Sequence, residues 1–315
     1  MTNYKFLVTG GSGFIGSHLV ENLIEKGHKV LVVDDLSSGI KFNLNKVCQK
    51  KNFKIFYEKI QDIDTKKLGN INGIFHLAAQ TSVQQSIAEP WKSSSNNLQS
   101  SLKVFEIARI KKIPVVYASS SAIYGNLENG SDEKDTNDLI SPYAFDKYSM
   151  EKLASVYFSA YKTRSIGLRF FNVYGPRQDP DNPYSGVISI FSNQLLKSKK
   201  IRIFGGKQTR DFIYVSDIVK SLMVAMTKVR KKSICDFINI GTGKQTSIIK
   251  LHSLLNKKIN NLSKISHLKY LRGDPLISNG SFRKMSLLLG LDKSKFIPLS
   301  KGLQETIDYF TRINQ

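Results

Sequence analysis

Cysteine is scarce in this sequence, and the few that occur form no pattern. The chain of 315 residues contains only two, Cys48 and Cys235. Two isolated cysteines exclude a disulfide framework and lack the ligand spacing of a structural zinc site. We therefore expect no metal site, and we expect a reducing compartment, the cytoplasm.

Long apolar runs are missing as well. No segment approaches the ~20 consecutive apolar residues of a membrane helix. The first residues, Met1 to Lys5, lack the basic and apolar regions of a secretory signal. Hydrophobic residues nevertheless make up 41% of the chain, a share that is ordinary for globular proteins and argues against disorder. The sequence predicts a folded cytoplasmic protein without a membrane partner.

Acidic residues are few relative to basic ones. The chain has 25 Asp and Glu against 47 Lys and Arg, which gives a formal net charge of +22. Such a charge is found in nucleic-acid-binding proteins, and a binder of this kind is the alternative from a different functional class. The lysines, however, occur in short scattered groups without a basic arm interleaved with aromatic residues. We interpret them as solvated surface and expect no nucleic-acid partner.

Short apolar strands alternate with helices in the first part of the chain. Because the pattern repeats, it predicts the α/β class, a Rossmann-type doubly wound parallel sheet with helices on both faces. We expect an NAD-binding domain over residues 1–172 and, because the pattern then becomes irregular, a smaller α/β substrate lobe over most of 173–315, with a strand returning to the first sheet near 212–240. Strands are predicted at 5–9, 29–33, 53–57, 74–77, 115–118 and 165–171, and helices at 14–26, 97–109 and 143–161.

A glycine-rich turn joins the first predicted strand to the first helix. Gly10, Gly13 and Gly16 have the spacing that brings backbone amides close to a pyrophosphate at a helix N-terminus. Asp34 follows the second strand, where a carboxylate accepts hydrogen bonds from the adenosine ribose and repels a 2′-phosphate. Together these features predict NAD rather than NADP as the cofactor. An ordinary tight turn with a solvated aspartate is the competing interpretation.

A tyrosine and a lysine lie four residues apart at the start of the last of these helices. Tyr143 and Lys147 share one helical face, and a nearby ammonium lowers the pKa of a phenol from ~10 toward neutrality. Tyr143 would then act as a general base. Ser119, Ser120 and Ser121 follow the fifth strand, at the sheet edge where open α/β folds bind ligands. We predict a catalytic set of Tyr143, Lys147, Ser120 and Ser121.

The combination resembles the extended short-chain dehydrogenase/reductase family in its nucleotide-sugar epimerase/dehydratase branch, nearest to UDP-glucose and UDP-N-acetylglucosamine 4-epimerases. The resemblance runs nearly end to end and includes the segments 76–79, 169–176 and 208–217. It implies that NAD is bound by Gly10, Gly13, Phe14, Ile15, Gly16, Asp34, Asp35, Asp62, Ile63, Leu77, Ala78, Ala79, Asn97, Ser119, Tyr143, Lys147 and Phe170. It implies that the UDP-sugar is bound by Ser82, Ser120, Asn172, Val187, Ile203, Phe204, Arg210, Arg272, Asp274 and Ser278.

The residues after Ser120 select the chemistry within this branch. The 4,6-dehydratases, and similarly the decarboxylases, carry a carboxyl-bearing pattern after the serine or threonine at this strand end, whereas this chain has Ser121 and Ala122. The resemblance therefore implies C4 epimerisation, in which NAD takes the C4 hydride and returns it to the other face of a 4-keto intermediate. An NAD(P)-dependent 4-ketosugar reductase with the same Tyr/Lys pair is the enzymatic alternative.

Substrate size and oligomeric state also follow from the resemblance. Ser278 falls where the family has a gatekeeper, and a serine there leaves room for a 2-acetamido group that a tyrosine would crowd. An ordinary loop serine is the competing interpretation. The family's Arg-x-Gly-Asp pattern is shifted by one, so that the arginine is Arg272, ahead of Asp274. The resemblance further implies a homodimer in which helices 97–109 and 143–161 form a four-helix bundle.

Overall fold

The computed structural model describes residues 3–126, 137–182, 185–261, 263–270 and 275–314. The strands in this part of the chain are β1 Lys5–Thr9, β2 Lys29–Val33, β3 Phe53–Phe56, β4 Gly73–His76, β5 Val115–Ser120, β6 Ser165–Phe170, β7 Asn172–Tyr174, β8 Ile201–Phe204, β9 Thr209–Tyr214, β10 Cys235–Ile240, β11 Gln245–Ser247 and β12 Ile265–Leu268. The helices are α1 Phe14–Glu25, α2 Val83–Ala88, α3 Pro90–Lys111, α4 Pro142–Tyr161, α5 Val187–Leu196, α6 Val215–Lys231, α7 Ile248–Ile259, α8 Arg283–Leu289 and α9 Leu299–Ile313.

A seven-stranded sheet in the order β10-β6-β5-β4-β1-β2-β3 forms the centre of the molecule. Every neighbouring pair in it is parallel. The chain winds outward from β1 to β3 and then, from β4 on, in the opposite direction. This reversal between β1 and β4 is the point at which doubly wound folds bind their ligands, beyond the carboxyl ends of the strands. The predicted Rossmann-type fold is confirmed.

The large sheet is covered on both faces. In β1, Leu7 belongs to the core on the side of α3 and α4, while its neighbour Val8 belongs to the core on the side of α1 and α6, and both are fully buried. Strands buried in this way consist of continuous apolar runs because neither face contacts water. This is why β1 and β2 could be recognised in the sequence.

The second half of the chain is more regular than its sequence pattern indicates. Strands β11, β9 and β7 form a three-stranded sheet, and β12 pairs with β8. Helices α5, α7 and α9 contribute Leu195, Leu251 and Leu303 to a separate apolar core. Strand β10, within the range 212–240 where we expected a return strand, joins the large sheet beside β6. Strand β9 begins before this range, at Thr209, and belongs to the smaller sheet. The domain division at residue 172 stays a prediction.

Two predicted boundaries were wrong for reasons that are visible in the structure. Helix α3 begins at Pro90 rather than at Asn97, with the proline in the first turn, where its missing N–H costs nothing. Its buried face carries Ser93, Asn97, Ser100 and Ser101 as well as apolar residues, so the apolar periodicity is weak. Strand β5 extends through Ser120, which makes two of the serines part of the strand.

The part of the chain that the structure describes contains no helix long and apolar enough to cross a bilayer. Within the same residues, no group of three or more His, Cys, Asp or Glu side chains is arranged to hold a metal ion.

Candidate active site

The turn between β1 and α1 allows a close approach to its backbone. Gly10 has a left-handed φ of 70°, and a Cβ there would collide with the backbone of Ala78 at the end of β4. A Cβ at Gly16 would collide with the carbonyl of Gly10. Helix α1 begins at Phe14 with Gly13 as its N-cap, so its first amides and helix dipole are available to an anion. The turn therefore fits the pyrophosphate of NAD.

Asp34 lies directly after β2 and borders this turn. Its side chain is buried, and its two oxygens accept hydrogen bonds from the backbone N–H groups of Ser12 (2.8 Å) and Leu36 (2.9 Å). Burial raises the pKa of this carboxyl, and the two backbone hydrogen bonds oppose that effect. A carboxylate has about four acceptor positions, so both oxygens retain capacity for ribose hydroxyls. The arrangement fits the adenosine side of NAD.

A loop glycine that the sequence patterns did not single out lies against this carboxylate. A Cβ on Gly39 would approach Asp34 Oδ1 to 2.7 Å and Ser12 Cβ to 2.9 Å. A larger residue at position 39 would therefore press on the carboxylate. The signal that could have indicated Gly39 is its place in the loop just beyond Asp34.

The other residues that we predicted to contact the adenosine, Asp35, Asp62 and Ile63, differ in their exposure to solvent. The exposed Asp35 carboxylate accepts hydrogen bonds from the N–H and hydroxyl of Ser37. Asp62 is exposed, whereas the side chain of Ile63 is buried in the core beneath β1. The side chain of Ile63 is therefore not presented to a ligand.

The ends of β1 and β4 are joined by a buried polar contact at the switch point. Thr9 Oγ1 lies 2.8 Å from His76 Nδ1 and accepts hydrogen bonds from the N–H groups of Leu77 and Ala78. Burial, with a smaller contribution from the Lys147 charge, lowers the pKa of His76 to about 3. The imidazole is therefore neutral. It fixes the segment Leu77–Ala79 beside the glycine turn, as the cofactor prediction requires.

Tyr143, Ser120 and Ser121 line one pocket beyond the carboxyl end of β5. Ser120 is the last residue of that strand, and Tyr143 lies in the first turn of α4, which Ser141 caps by accepting a hydrogen bond from Ala144 N. The hydroxyl of Ser86 in α2 accepts a hydrogen bond from Tyr143 N at 3.2 Å. Strand and helix termini thus hold the predicted catalytic hydroxyls together.

Lys147 lies one helical turn beyond Tyr143 and is buried. Its Nζ donates a hydrogen bond to the carbonyl oxygen of Ala118 at 2.7 Å and lies 5.7 Å from the centroid of the Tyr143 ring. The ammonium therefore reaches the edge of the pocket from beneath the phenol. The predicted set of Tyr143, Lys147 and Ser120 occupies one site.

The burial of this pair acts against the protonation that we predicted for it. Burial raises the pKa of Tyr143 to about 12, with a further increase from Asp146 and an opposing hydrogen bond from Ser120. Burial lowers the pKa of Lys147 to about 8, against the nearby carboxylates of Asp146 and Glu151. The expected decrease toward neutrality considered only the lysine charge. Removal from water has the opposite effect on the pKa of Tyr143, because it penalises the charged form.

The remaining walls of the pocket carry residues that we predicted to bind the substrate, together with Phe170, which we predicted to bind NAD. Phe170 and Asn172 come from the end of β6 and the start of β7, Arg210 from β9, and Ser278 from the loop before α8. Arg210 is buried, and its NH1 donates a hydrogen bond to the carbonyl of Thr209 at 2.7 Å. Arginine and asparagine donors beside an apolar ring suit a phosphorylated ligand. The open space of the pocket is about 820 Å³.

Several predicted residues lie elsewhere. The Ser82 hydroxyl caps α2, and the Ser119 hydroxyl donates a hydrogen bond to Glu151 Oε1 at 2.5 Å. The Ile203 side chain is buried in the core of α5, α7 and α9 and does not line the pocket. Val187 is the first residue of α5, and Phe204, the last residue of β8, is half-buried; neither lines the pocket. Arg272 and Asp274 lie outside the described residues.

Some pocket residues were missed by the sequence reasoning. Most of them lie in loops and at strand ends, and the sequence of such segments has no regular spacing of apolar residues that would identify them. Tyr124 and Gly125 could have been inferred, since they continue the serine-rich segment at the end of β5. Additional lining residues are Thr81, Val83, Ala122, Ile140, Ser141, Phe171, Pro275, Ile277 and Asn279.

A parallel α/β sheet with a glycine turn at its switch point, and a Tyr/Lys/Ser set at the neighbouring strand end, define a dinucleotide-dependent enzyme of the short-chain dehydrogenase/reductase type. The chain belongs to the NAD dependent epimerase/dehydratase family, whose sequence model matches residues 6–241. This membership confirms the predicted family and its cofactor, NAD.

The similarity to UDP-sugar 4-epimerases of other organisms extends over nearly the whole chain. The UDP-glucose 4-epimerase of Mycolicibacterium smegmatis is 33% identical over 99% of this chain and 100% of its own. The Thermotoga maritima UDP-glucose 4-epimerase, solved with UDP-glucose, has a TM-score of 0.90 and 34% identity, covering 99% of this chain and 100% of that one. The UDP-N-acetylglucosamine 4-epimerase of Methanobrevibacter ruminantium, solved with UDP-N-acetylmuramic acid, has a TM-score of 0.91 and 34% identity at the same coverage.

Proposed function

We propose that this protein inverts C4 of a UDP-hexose or UDP-N-acetylhexosamine with bound NAD. The observation that carries the proposal is the pocket that Tyr143, Ser120, Phe170 and Arg210 line together, beside the glycine turn and above the buried Lys147. The two relatives with solved structures, both named as UDP-sugar 4-epimerases, support the same reaction.

Each residue of the chain's own catalytic set has a separate role. Tyr143, as the phenolate, takes the proton of the C4 hydroxyl and later returns it to the oxygen of the 4-keto sugar, so that no net proton is consumed. Ser120 donates a hydrogen bond to that oxygen, and the Lys147 ammonium stabilises the negative charge on Tyr143. NAD supplies hydride transfer to and from C4. Arg210 and Asn172 hold the diphosphate while the 4-keto sugar rotates.

The residues directly after Ser120 favour epimerisation over elimination. Ser121 and Ala122 line the pocket at this strand end, and neither carries a carboxyl group that could deliver or remove protons at C5 and C6. Within the described residues, the pocket wall contains no aspartate or glutamate. Proton transfer at ring carbons therefore has no carboxyl acid or base there.

The substrate preference follows from the pocket wall at Ser278. This side chain is small and buried at the wall, which leaves space for a 2-acetamido group. We propose that residues 1–172 bind NAD and that 173–315 supply most of the nucleotide-sugar site, because Arg210 and Ser278 enter the pocket from the second half of the chain.

A homodimer through α3 and α4 is part of the proposal. These two helices pack against each other, and apolar side chains on them are exposed, among them Leu102 (49%) and Val156 (59%). Exposed apolar side chains on adjacent helices favour burial against a second copy. We place the enzyme in the cytoplasm, in keeping with its two free cysteines, and assign it no nucleic-acid partner.

The test is direct observation of the product. The purified protein is incubated with catalytic NAD and, separately, with UDP-N-acetylglucosamine and UDP-glucose, and the anomeric protons are followed by NMR. We expect the C4 epimer to accumulate without NADH. Tyr143→Phe should lower kcat by about 10²–10⁴-fold while NAD remains bound. Consumption of external NADPH with a 4-ketosugar would instead indicate a reductase, and no epimer from either substrate would overturn the proposal.

A further inference from the structure

Helix α4 buries a carboxylate for which the proposed reaction has no use. Asp146, one residue before Lys147, is 2% exposed. Its Oδ2 accepts a hydrogen bond from Asn97 Nδ2 at 2.9 Å, and its Oδ1 has no hydrogen-bond partner among the described residues. A buried carboxylate held by a neutral amide alone is costly to desolvate. Its burial three residues after Tyr143 therefore calls for a compensating charge.

The next residue of the helix, Lys147, carries the opposite charge. Its ammonium is buried too, and its hydrogen bond goes to a neutral acceptor, the carbonyl of Ala118. The other buried carboxylate nearby, Glu151, is already neutralised by a two-pronged ion pair with Arg169 (2.8 and 2.5 Å). Among the described residues of this cluster, Asp146 is thus the carboxylate left to balance Lys147.

The other polar groups around Asp146 and Lys147 add no further charge to the cluster. His76 on β4 is neutral, because burial lowers its pKa to about 3. Ser120 on β5 contributes a hydroxyl to the Tyr143 phenol. Asn97 on α3 is held in place by hydrogen bonds with the backbone N–H and carbonyl of Gln80. The cluster of Asp146, Lys147, Glu151 and Arg169 is neutral overall, and loss of the Asp146 charge would leave it at +1.

We propose that Asp146 is a positioning residue whose negative charge keeps the buried Lys147 protonated and so sets the pH range in which Tyr143 and Lys147 work. The inference rests on the proposed function. Asp146 does not line the pocket, so it acts through Lys147 and Tyr143 rather than on the sugar.

The direction of the effect follows from electrostatics. The Asp146 charge raises the pKa of Lys147, which burial lowers, and it also raises the pKa of Tyr143. Removal of the charge therefore lowers both pKa values. Since the two groups interact, they titrate as a pair, and both limbs of a bell-shaped pH profile should move to lower pH.

The matched experiment is Asp146→Asn, which preserves the volume and an acceptor oxygen for Asn97. We expect the pH optimum of kcat to fall by about one to two pH units, with little change in KM. Asp146→Ser, which also removes the charge but packs differently, should give the same shift, and Asp146→Glu should retain the wild-type optimum. Asp308→Asn on the exposed face of α9 is the control and should not move the profile.

A second measurement is independent of turnover. The protein is labelled with ¹³C at lysine Cε, and the Lys147 resonance is identified by its absence from the spectrum of Lys147→Arg. The pH midpoint of the titration of this resonance is then measured by NMR. The midpoint should fall in Asp146→Asn. If the wild-type protein forms no epimer, the proposed function fails while this titration still tests Asp146. If Asp146→Asn leaves the titration and the pH optimum unchanged, Asp146 is merely structural and the inference is overturned.

Discussion

At the scale of single residues, the proposed gatekeeper is Ser278, which lies in the wall of the pocket. It is 7% exposed, so a larger side chain at this position would occupy space in the pocket. We predict that Ser278→Tyr lowers kcat/KM for UDP-N-acetylglucosamine by about 10–200-fold, because discrimination by pocket size is of this order, and lowers that for UDP-glucose much less.

Steady-state kinetics with both substrates measure this ratio. Ser278→Ala is the matched control, since it adds no volume, and it should leave the ratio unchanged. An equal loss for both sugars in Ser278→Tyr would mean that the residue has no gatekeeper role.

His76 makes a pH-dependent contribution to stability. Its pKa is lowered to about 3 in the folded protein, below the ~6.5 of an unfolded histidine. The neutral imidazole therefore stabilises the fold above pH ~6.5, and this stabilisation is lost as the pH falls toward the folded value. Between pH 7 and pH 4 we expect it to account for a decrease in the free energy of unfolding on the order of 2–3 kcal/mol.

The variant His76→Asn isolates this contribution, since an amide oxygen can accept from Thr9 Oγ1 without titrating. Urea unfolding at pH 7, 5.5 and 4 should show a smaller acid-dependent decrease than in the wild type. The contribution of His18, whose pKa is also lowered by burial, to about 4, remains in both proteins. If the free energy of unfolding decreased equally with falling pH in the wild type and in His76→Asn, the prediction would be contradicted.

At the scale of elements, α4 is tied to the sheet by a buried ion pair. Arg169 in β6 and Glu151 in α4 are 0% and 2% exposed in their side chains, and Arg169 NH1 also donates a hydrogen bond to Tyr124 at 2.7 Å. We predict that Arg169→Met lowers the free energy of unfolding by about 3–5 kcal/mol, because it leaves the Glu151 charge buried without its ion-pair partner.

Equilibrium unfolding in urea measures this change. The matched control is Lys301→Met, which removes one partner of the exposed pair Lys301–Glu305 (4.0 Å) on α9 and should have no measurable effect. A similar small effect for both variants would indicate that the buried pair contributes nothing beyond packing.

The helices and strands that the sequence predicted most accurately are those whose buried faces are almost entirely apolar. The strands β1 and β2 and the helix α1 were located closely because both faces of the strands are buried and Gly27, with a φ of 80°, ends the helix as predicted. The start of α3 was missed because serines and an asparagine occupy much of its buried face. The short strands of the second half lacked any pattern, because their partners are distant in sequence.

At the scale of the whole molecule, the outer face of α3 and α4 is the proposed dimer interface. We predict that the wild-type protein has the mass of two chains by light scattering at micromolar concentration, and that Val156→Asp gives single chains, because a charge would be buried at the interface. Ile313→Asp on α9, where Ile313 is similarly exposed at 49%, is the control and should remain dimeric. A wild-type mass of one chain would refute the interface.

The sequence by itself determined the fold class, and it predicted the glycine turn, Asp34 and the Tyr143/Lys147 pair, because each depends on local spacing along one strand or helix. Only the tertiary structure decided which side chains meet. It brought Arg210 and Ser278 into the pocket of Tyr143, buried Ile203 and turned the Ser119 hydroxyl toward Glu151. It also set burial against the expected lowering of the Tyr143 pKa, since burial is a property of the packed molecule, and the spacing of a lysine in the sequence does not reveal how far water is excluded.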